Sequence, residues 1–282
     1  MRKTRQLLLA AVPLLFHAGD ALAWGLYTHV YFAQLLVWAV PLLDPELRRA
    51  ALRFPRLVMA GACLPDLALV GGRVGTQAFA SSHRWETTHA LIDAASDDET
   101  RAIAVGYTSH LLVDVIAHNH FVPAHEKLWL DVPLLTHVAV EWAMDSHIAK
   151  HLFATPGELL ATEAKALAEF VGEQTGCGSA ITGEALALLA RADRFLRSSG
   201  LPQGCYRLFR LDGGLRRRFD AYIEATTLRL GQINRVLANE APAWEAELLC
   251  PIAKQAHLAK FSKDELAALM PLPHDLFARE AA

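Results

Sequence analysis

His110 and Asp114 stand four residues apart in the apolar run from Gly106 to Ala117, and His118 and His120 follow within six positions. On a helix the four-residue step puts imidazole and carboxylate on one face, one turn apart. A second run, Thr136-His137-Val138-Ala139-Val140-Glu141, repeats the interval with His137 and Glu141. An ionised carboxylate isolated in an apolar interior must be paired or lose its charge. No Lys or Arg lies between Arg101 and Lys127 to pair with Asp114. Metal cations held between the two helices would supply the missing charge. At the carboxylate-rich positions the ligand chemistry alone tolerates manganese or iron.

The elements that must position these groups begin with an unusual amino terminus. Arg2, Lys3 and Arg5 precede an apolar stretch from Leu7 to Phe16, and Ala21-Leu22-Ala23 has the form of a cleavage site. The stretch is short of the roughly 20 apolar residues of a membrane span. Residues 1–23 therefore read as a signal peptide cleaved after Ala23, which exports the chain to the periplasm or the extracellular space. Trp24 would then carry a free amine, which with its own carbonyl oxygen can chelate a metal in a five-membered ring, and His29 follows five residues on. Further along, the break Gly61-Ala62-Cys63-Leu64-Pro65-Asp66 presents one acid, and His83 and His89 flank Trp85. Nine of the 13 histidines lie between positions 83 and 151.

With 282 residues, 53% hydrophobic and 20% charged, the chain has the composition of a folded globular protein and not of a disordered one. Loss of the leader, with three basic residues and one acidic, takes the formal charge from −3 to −5. A mildly acidic chain has no broad attraction for nucleic acid or anionic lipid. Cys63, Cys177, Cys205 and Cys250 lack C-x-x-C spacing, and export permits two disulfides, with Cys177–Cys205 the pairing expected. Helices are expected over 29–43, from Pro45, in the two ligand-bearing runs joined by a loop containing Pro123, and over 156–172, 182–199, 212–240 and 262–270, the last opened by a capping box at Ser262 and Glu265. No stretch alternates long enough for a sheet. The fold expected is an all-α multi-helix bundle, with a metal-site core over 24–154 and a helical region over 155–282 packed on the same domain.

The order Trp24, His29, Asp66, His83, His110-x3-Asp114, His120, His137-x3-Glu141 resembles the zinc-dependent phospholipase C family and its relatives, the single-strand-specific zinc nucleases. The resemblance covers about residues 24–150 and implies an all-α fold with three zinc ions in a cleft. It implies that Asp66, His83, His110 and Asp114 hold one zinc, that His120, His137 and Glu141 hold a second, and that Trp24 with His29 holds a third, Asp114 bridging to the first. Asp66 would also orient or deprotonate the attacking water. His89 is an alternative to His83, which is preferred for its His83-Arg84-Trp85 context, and His118 an alternative to His120, which is preferred for its six-residue step from Asp114. His125, His147, His151 and Asp145 remain as rim or supporting hydrogen-bond groups.

The activity implied is hydrolysis of glycerophospholipids to diacylglycerol and a phosphorylated headgroup, with transient contact to a membrane surface and no stable nucleic-acid partner. Glu141 ends the last pair as in the phospholipases, whereas the nucleases usually have Asp, and no basic, aromatic-interleaved stripe is present for a phosphate backbone. The short step from Trp24 to His29 is equally nuclease-like. Tyr27 stands where some choline-selective members carry an acid, so choline preference is not implied. The alternatives are a single-strand nuclease, another phosphoesterase, or a periplasmic zinc-binding protein with little catalysis.

Overall fold

A computed structural model describes residues 25–129, 133–246, 260–268, 272 and 275–278. The leader, Trp24 and Cys250 lie outside the described residues. Every regular element among the described residues is helical, with no strand, so the all-α expectation holds.

The organising element is α6, Asp98–Ile116; preceding it are α1 (Leu26–Ala39), α2 (Pro45–Arg53), α3 (Pro55–Gly61), α4 (Ala68–Gly71) and α5 (Trp85–Ala94). Asp97 starts α6 by accepting the Thr100 N–H in a reciprocal capping box. From Ala102 to Ile116 every residue of α6 is buried, which explains why this helix is apolar all round and has no wet stripe. Its crossing with α3 is close enough to demand glycine on both sides. A Cβ at Gly106 would lie 2.0 Å from the Val58 carbonyl oxygen, and one at Gly61 would lie 2.5 Å from that of Ile103.

Beyond Ile116 the chain does not leave the helix. A π turn over Ala117–Phe121 leads directly into α7, Val122–Leu128. Pro123 sits in the first turn of α7 and not in a loop, because the first helical turn does not need the N–H that proline lacks. The second ligand-bearing run is α8, Pro133–Ile148.

The carboxy-terminal region supplies α9 (Pro156–Thr162), α10 (Ala164–Gln174), α11 (Gly178–Ser199), α12 (Leu201–Phe209), α13 (Leu215–Arg229), α14 (Ile233–Leu237) and α15 (Lys263–Ala268). The expected helix over 156–172 is thus broken at Glu163, and α12 was not anticipated; Gly200, at φ 72°, ends α11 and lets α12 start. The capping box at Ser262 and Glu265 is present in both directions. One buried apolar cluster runs from Leu26 to Leu276, so the carboxy-terminal helices share the core of the amino-terminal ones.

Cys63, Cys177 and Cys205 are free thiols, which corrects the expected Cys177–Cys205 pairing. Cys177 caps the start of α11 and Cys205 lies on the helix after its end. Twenty-two residues of helix span about 33 Å, far beyond the Cα separation of about 7 Å that a disulfide allows. Among the described residues no single helix is long and apolar enough to cross a membrane.

Candidate metal centre

Five segments deliver donors to one point in the core. Helix α6 and its π turn carry His110, Asp114 and His118 on successive turns, α8 carries His137 and Glu141, α1 carries His29, and the short 3-10 turn Pro65–Leu67 carries Asp66. His83 enters from the turn before α5. All eight side chains are buried.

Their distances define overlapping groups. His110 Nε2, His83 Nε2 and Asp114 Oδ2 are separated by 3.3, 3.0 and 3.5 Å for the His110–His83, His110–Asp114 and His83–Asp114 pairs. His29 stacks on His110 with ring centroids 3.5 Å apart and points Nε2 at Asp114 Oδ1, 3.3 Å away. Asp66 Oδ1 is 3.8 Å from His83 Nε2, and Asp66 groups with His29 and His110. On the other side of Asp114, His137 Nε2 lies 2.9 Å and His118 Nε2 3.8 Å from Glu141 Oε1. His118 Nε2 is also 4.0 Å from Asp114 Oδ1, so Asp114 stands between the two groups.

The tautomers follow from the groups behind the rings. A main-chain carbonyl only accepts, so His110 Nδ1, 2.8 Å from the Ala62 oxygen, and His118 Nδ1, 2.8 Å from that of Ala246, carry hydrogens. Ser82 Oγ donates its hydrogen to the Pro65 carbonyl and therefore accepts from His83 Nδ1. All three Nε2 atoms then direct lone pairs into the cluster. Two such lone pairs facing each other at 3.3 Å, with a carboxylate oxygen beside both, repel unless a cation lies among them. For zinc–nitrogen bonds of about 2.0–2.1 Å the edge of a tetrahedron is roughly 3.3 Å, the spacing found. The buried side-chain atoms left without hydrogen-bond partners include both nitrogens of His29, Asp66 Oδ1, both oxygens of Asp114, His118 Nε2 and Glu141 Oε1. The donor set therefore fits metal ions.

Electrostatics agree. Burial pushes the carboxyls of Asp66 and Glu141 up to about 8. Burial also acts to raise Asp114, but His110, His118 and His29 outweigh it and hold that carboxyl well below its ordinary range. Burial lowers His83 to about 3, leaving it a neutral donor. Among the described residues the ion-pair partners of the three carboxylates are histidines alone.

Of the residues expected at the site, His29, Asp66, His83, His110, Asp114, His137 and Glu141 come together. Trp24 lies outside the described residues. His89 sits half-buried on α5 and joins none of the groups. His118, and not His120, reaches Glu141: the helix continues through the π turn, so the residue four after Asp114 stays on its face while the residue six after it turns away. His120 packs edge-on against Trp244, with centroids 5.2 Å apart. His125 is a core residue, bonded to the Phe121 carbonyl and packed on Phe219. His147 bridges Tyr206 and Asp220. Tyr27 is buried beneath the Arg197 guanidinium, away from the donors.

One supporting element had no signal in the sequence. The segment Trp244–Ala246 crosses the cluster, and its three consecutive carbonyls accept from Trp85 Nε1, Asn119 Nδ2 and His118 Nδ1. These donors sit on two distant stretches of the chain, at Trp85 and at His118-Asn119, so no spacing rule marks their shared partner.

Comparison with models of known families matches residues 28–177, a little over half of the chain, to the family described as zinc dependent phospholipase C. No curated protein and no solved structure matches the chain. The matched stretch contains every described residue of the donor cluster.

Proposed function

The chain belongs to the zinc-dependent phospholipase C family and is a hydrolase of the phospholipase C type, and from that premise we propose that it is an exported enzyme cleaving glycerophospholipids into diacylglycerol and a phosphorylated headgroup. The observation that carries the reading is the buried convergence of five imidazoles and three carboxylates with no lysine or arginine among them. In the assignment proposed here, Asp66, His83, His110 and Asp114 would hold one zinc, and His118, in the place expected of His120, would join His137 and Glu141 in holding a second. His29 would hold a third with the amine and carbonyl of Trp24, once the leader is removed after Ala23, and Asp114 would be shared with the first.

When bound, closely spaced zinc ions supply Lewis acidity to the phosphoryl oxygens and a way to ionise water near neutral pH. The chain's own groups do the rest. The Ala62 and Ala246 carbonyls and the Ser82 hydroxyl hold His110, His118 and His83 in one tautomer with Nε2 facing inward. Asp66 Oδ1 has no hydrogen-bond partner and faces the donors, so Asp66 is placed to orient the attacking water or take its proton. The segment Trp244–Ala246, hydrogen-bonded across the cluster, excludes bulk water. A membrane surface is the transient partner from which the substrate is drawn.

The test uses mature protein that begins at Trp24, with zinc measured by elemental analysis and turnover measured on phosphatidylcholine and phosphatidylethanolamine. About three zincs with chelator-sensitive headgroup release is the expected result. Zinc without lipid turnover, followed by cleavage of single-stranded nucleic acid, would replace the lipid reading by the nuclease one. Zinc with neither activity would leave a metal-binding protein.

A further inference from the structure

Asp145 is a buried carboxylate close to the donor cluster that does not join it. It sits on α8 one turn beyond Glu141, and its two oxygens serve different elements. Oδ1 accepts the Thr28 main-chain N–H at 3.0 Å and the Thr28 hydroxyl at 2.8 Å. Oδ2 is ion-paired with Nη2 of Arg197 on α11. The same guanidinium reaches Asp193 Oδ1 through Nε and lies over the Tyr27 ring, 4.0 Å from its centroid. Gly25 completes the arrangement, because a Cβ there would stand 2.0 Å from Asp145 Oδ2. Gly25, Tyr27 and Thr28, the beginning of α1, are thus clasped by one acid and one base from the other half of the chain.

Helix α1 needs such a clasp. Its N-cap residue is Gly25, which has no side chain to accept the first N–H groups. A chain end frays unless it is tied down, and the orphan donors of a first turn attract an anion through both hydrogen bonding and the helix dipole. Asp145 is that anion, supplied from 117 residues away, and Arg197 offsets its buried charge. The residue after Thr28 is His29, whose Nε2 must stay 3.3 Å from Asp114 Oδ1.

We propose that Asp145, held by Arg197, is a positioning residue that fixes the first turn of α1 and through it sets His29 in the metal centre. Because Arg197 lies beyond the family match at 28–177, the carboxy-terminal helices take part in building the site. The inference rests on the metal-centre reading given above.

The test compares mature wild-type protein with Asp145→Asn, Arg197→Lys, Gly25→Ala and the double variant Asp145→Asn/Arg197→Met. Zinc affinity is read by chelator competition, the donor environment by the visible spectrum of the cobalt(II)-loaded protein, and stability by the melting midpoint of the zinc-free form. Asp145→Asn should weaken one zinc of the set by roughly 10–100-fold, the usual effect of losing a group that orients a ligand, and should shift the cobalt spectrum. Gly25→Ala, which removes no charge and keeps the test open if Asp145→Asn fails to fold, should do the same. Arg197→Lys should recover part of the loss. In the double variant Asp193 loses its Arg197 partner, so the zinc-free midpoint should stay below wild type, and the weakened zinc and altered spectrum should persist. Wild-type zinc affinity and cobalt spectrum in the double variant would overturn the positioning role. Failure of wild-type protein itself to bind zinc would instead overturn the metal centre, and this inference with it.

Discussion

Removing the metal should turn two of the cluster's acids into neutral groups at physiological pH. Without a cation, burial holds the carboxyls of Asp66 and Glu141 at about 8. At pH 7 a group with that affinity is about 0.9 protonated, so stripping zinc should load about one proton on each of these two carboxyls. Asp114, held low by its three histidines, and His83, held neutral at about 3, add nothing. Zinc needs the ionised carboxylates, so each site that depends on Asp66 or Glu141 should lose about tenfold in affinity per pH unit as the pH falls below about 8. The stability of the zinc-free form carries the same sign. A carboxyl raised in the folded state from 3.8 or 4.5 to about 8 contributes stability that is fully present below those ordinary values and is lost as pH rises through about 8. Zinc-free protein should therefore melt at a lower temperature at pH 8 than at pH 5. Infrared difference spectra of zinc-free protein, with Asp66→Asn and Glu141→Gln to assign the bands, should show two carboxylic acids ionising near pH 8. Ionisation of both near pH 4, or a zinc affinity flat between pH 6 and 8, would refute the electrostatic account of the cluster.

Three further outcomes are expected. His118→Ala should remove one zinc, whereas His120→Ala should keep all zinc and lose about 0.5–3 kcal/mol of stability through its contact with Trp244; loss of zinc from the second variant alone would reverse the assignment. Gly106→Ala puts a methyl group 2.0 Å from the Val58 carbonyl and must part α3 from α6, costing about 1–3 kcal/mol and loosening the Ala62–His110 hydrogen bond, so both melting midpoint and zinc affinity should fall. A single residue left ahead of Trp24 should lower zinc content by one equivalent through loss of the free amine, and unchanged content on elemental analysis would remove Trp24 from the ligand set.

The helical class and most of the cluster could be read from spacing because the carboxylates made the spacing meaningful. Asp114 lies where its helix is buried all round and Glu141 is itself buried, places where an acid has few tolerable fates, and each has a histidine one turn before it. The placement of His118 and His120 has a local cause. The six-residue step from Asp114 favours His120 by its likeness to the family pattern, but that step meets the cluster only if the helix ends after Asp114. The π turn keeps the helix going and spends Pro123 in a first turn. Longer-range support carries no such mark. Nothing about Ala246 or Arg197 in the sequence says that one holds the ring of His118 and the other the first turn of α1, since the partners are 128 residues away in one case and 52, through Asp145, in the other.

That distribution bears on what the carboxy-terminal half is for. A site whose imidazole nitrogens and carboxylate oxygens face one another is a poor core without cations, because its lone pairs repel and the carboxyls of Asp66 and Glu141 prefer to be protonated. Local helix geometry alone would let the rings rotate away from that repulsion. They are prevented by bonds made from outside the cluster: His110 is tied to α3, His83 to the turn at Ser82, His118 to the segment at Ala246, and the turn before His29 to α8 and, through Arg197, to α11. Two of these ties come from residues past the family match. The carboxy-terminal helices therefore help to hold open, in the absence of metal, an arrangement that the donors themselves disfavour, and cations relieve it when they bind.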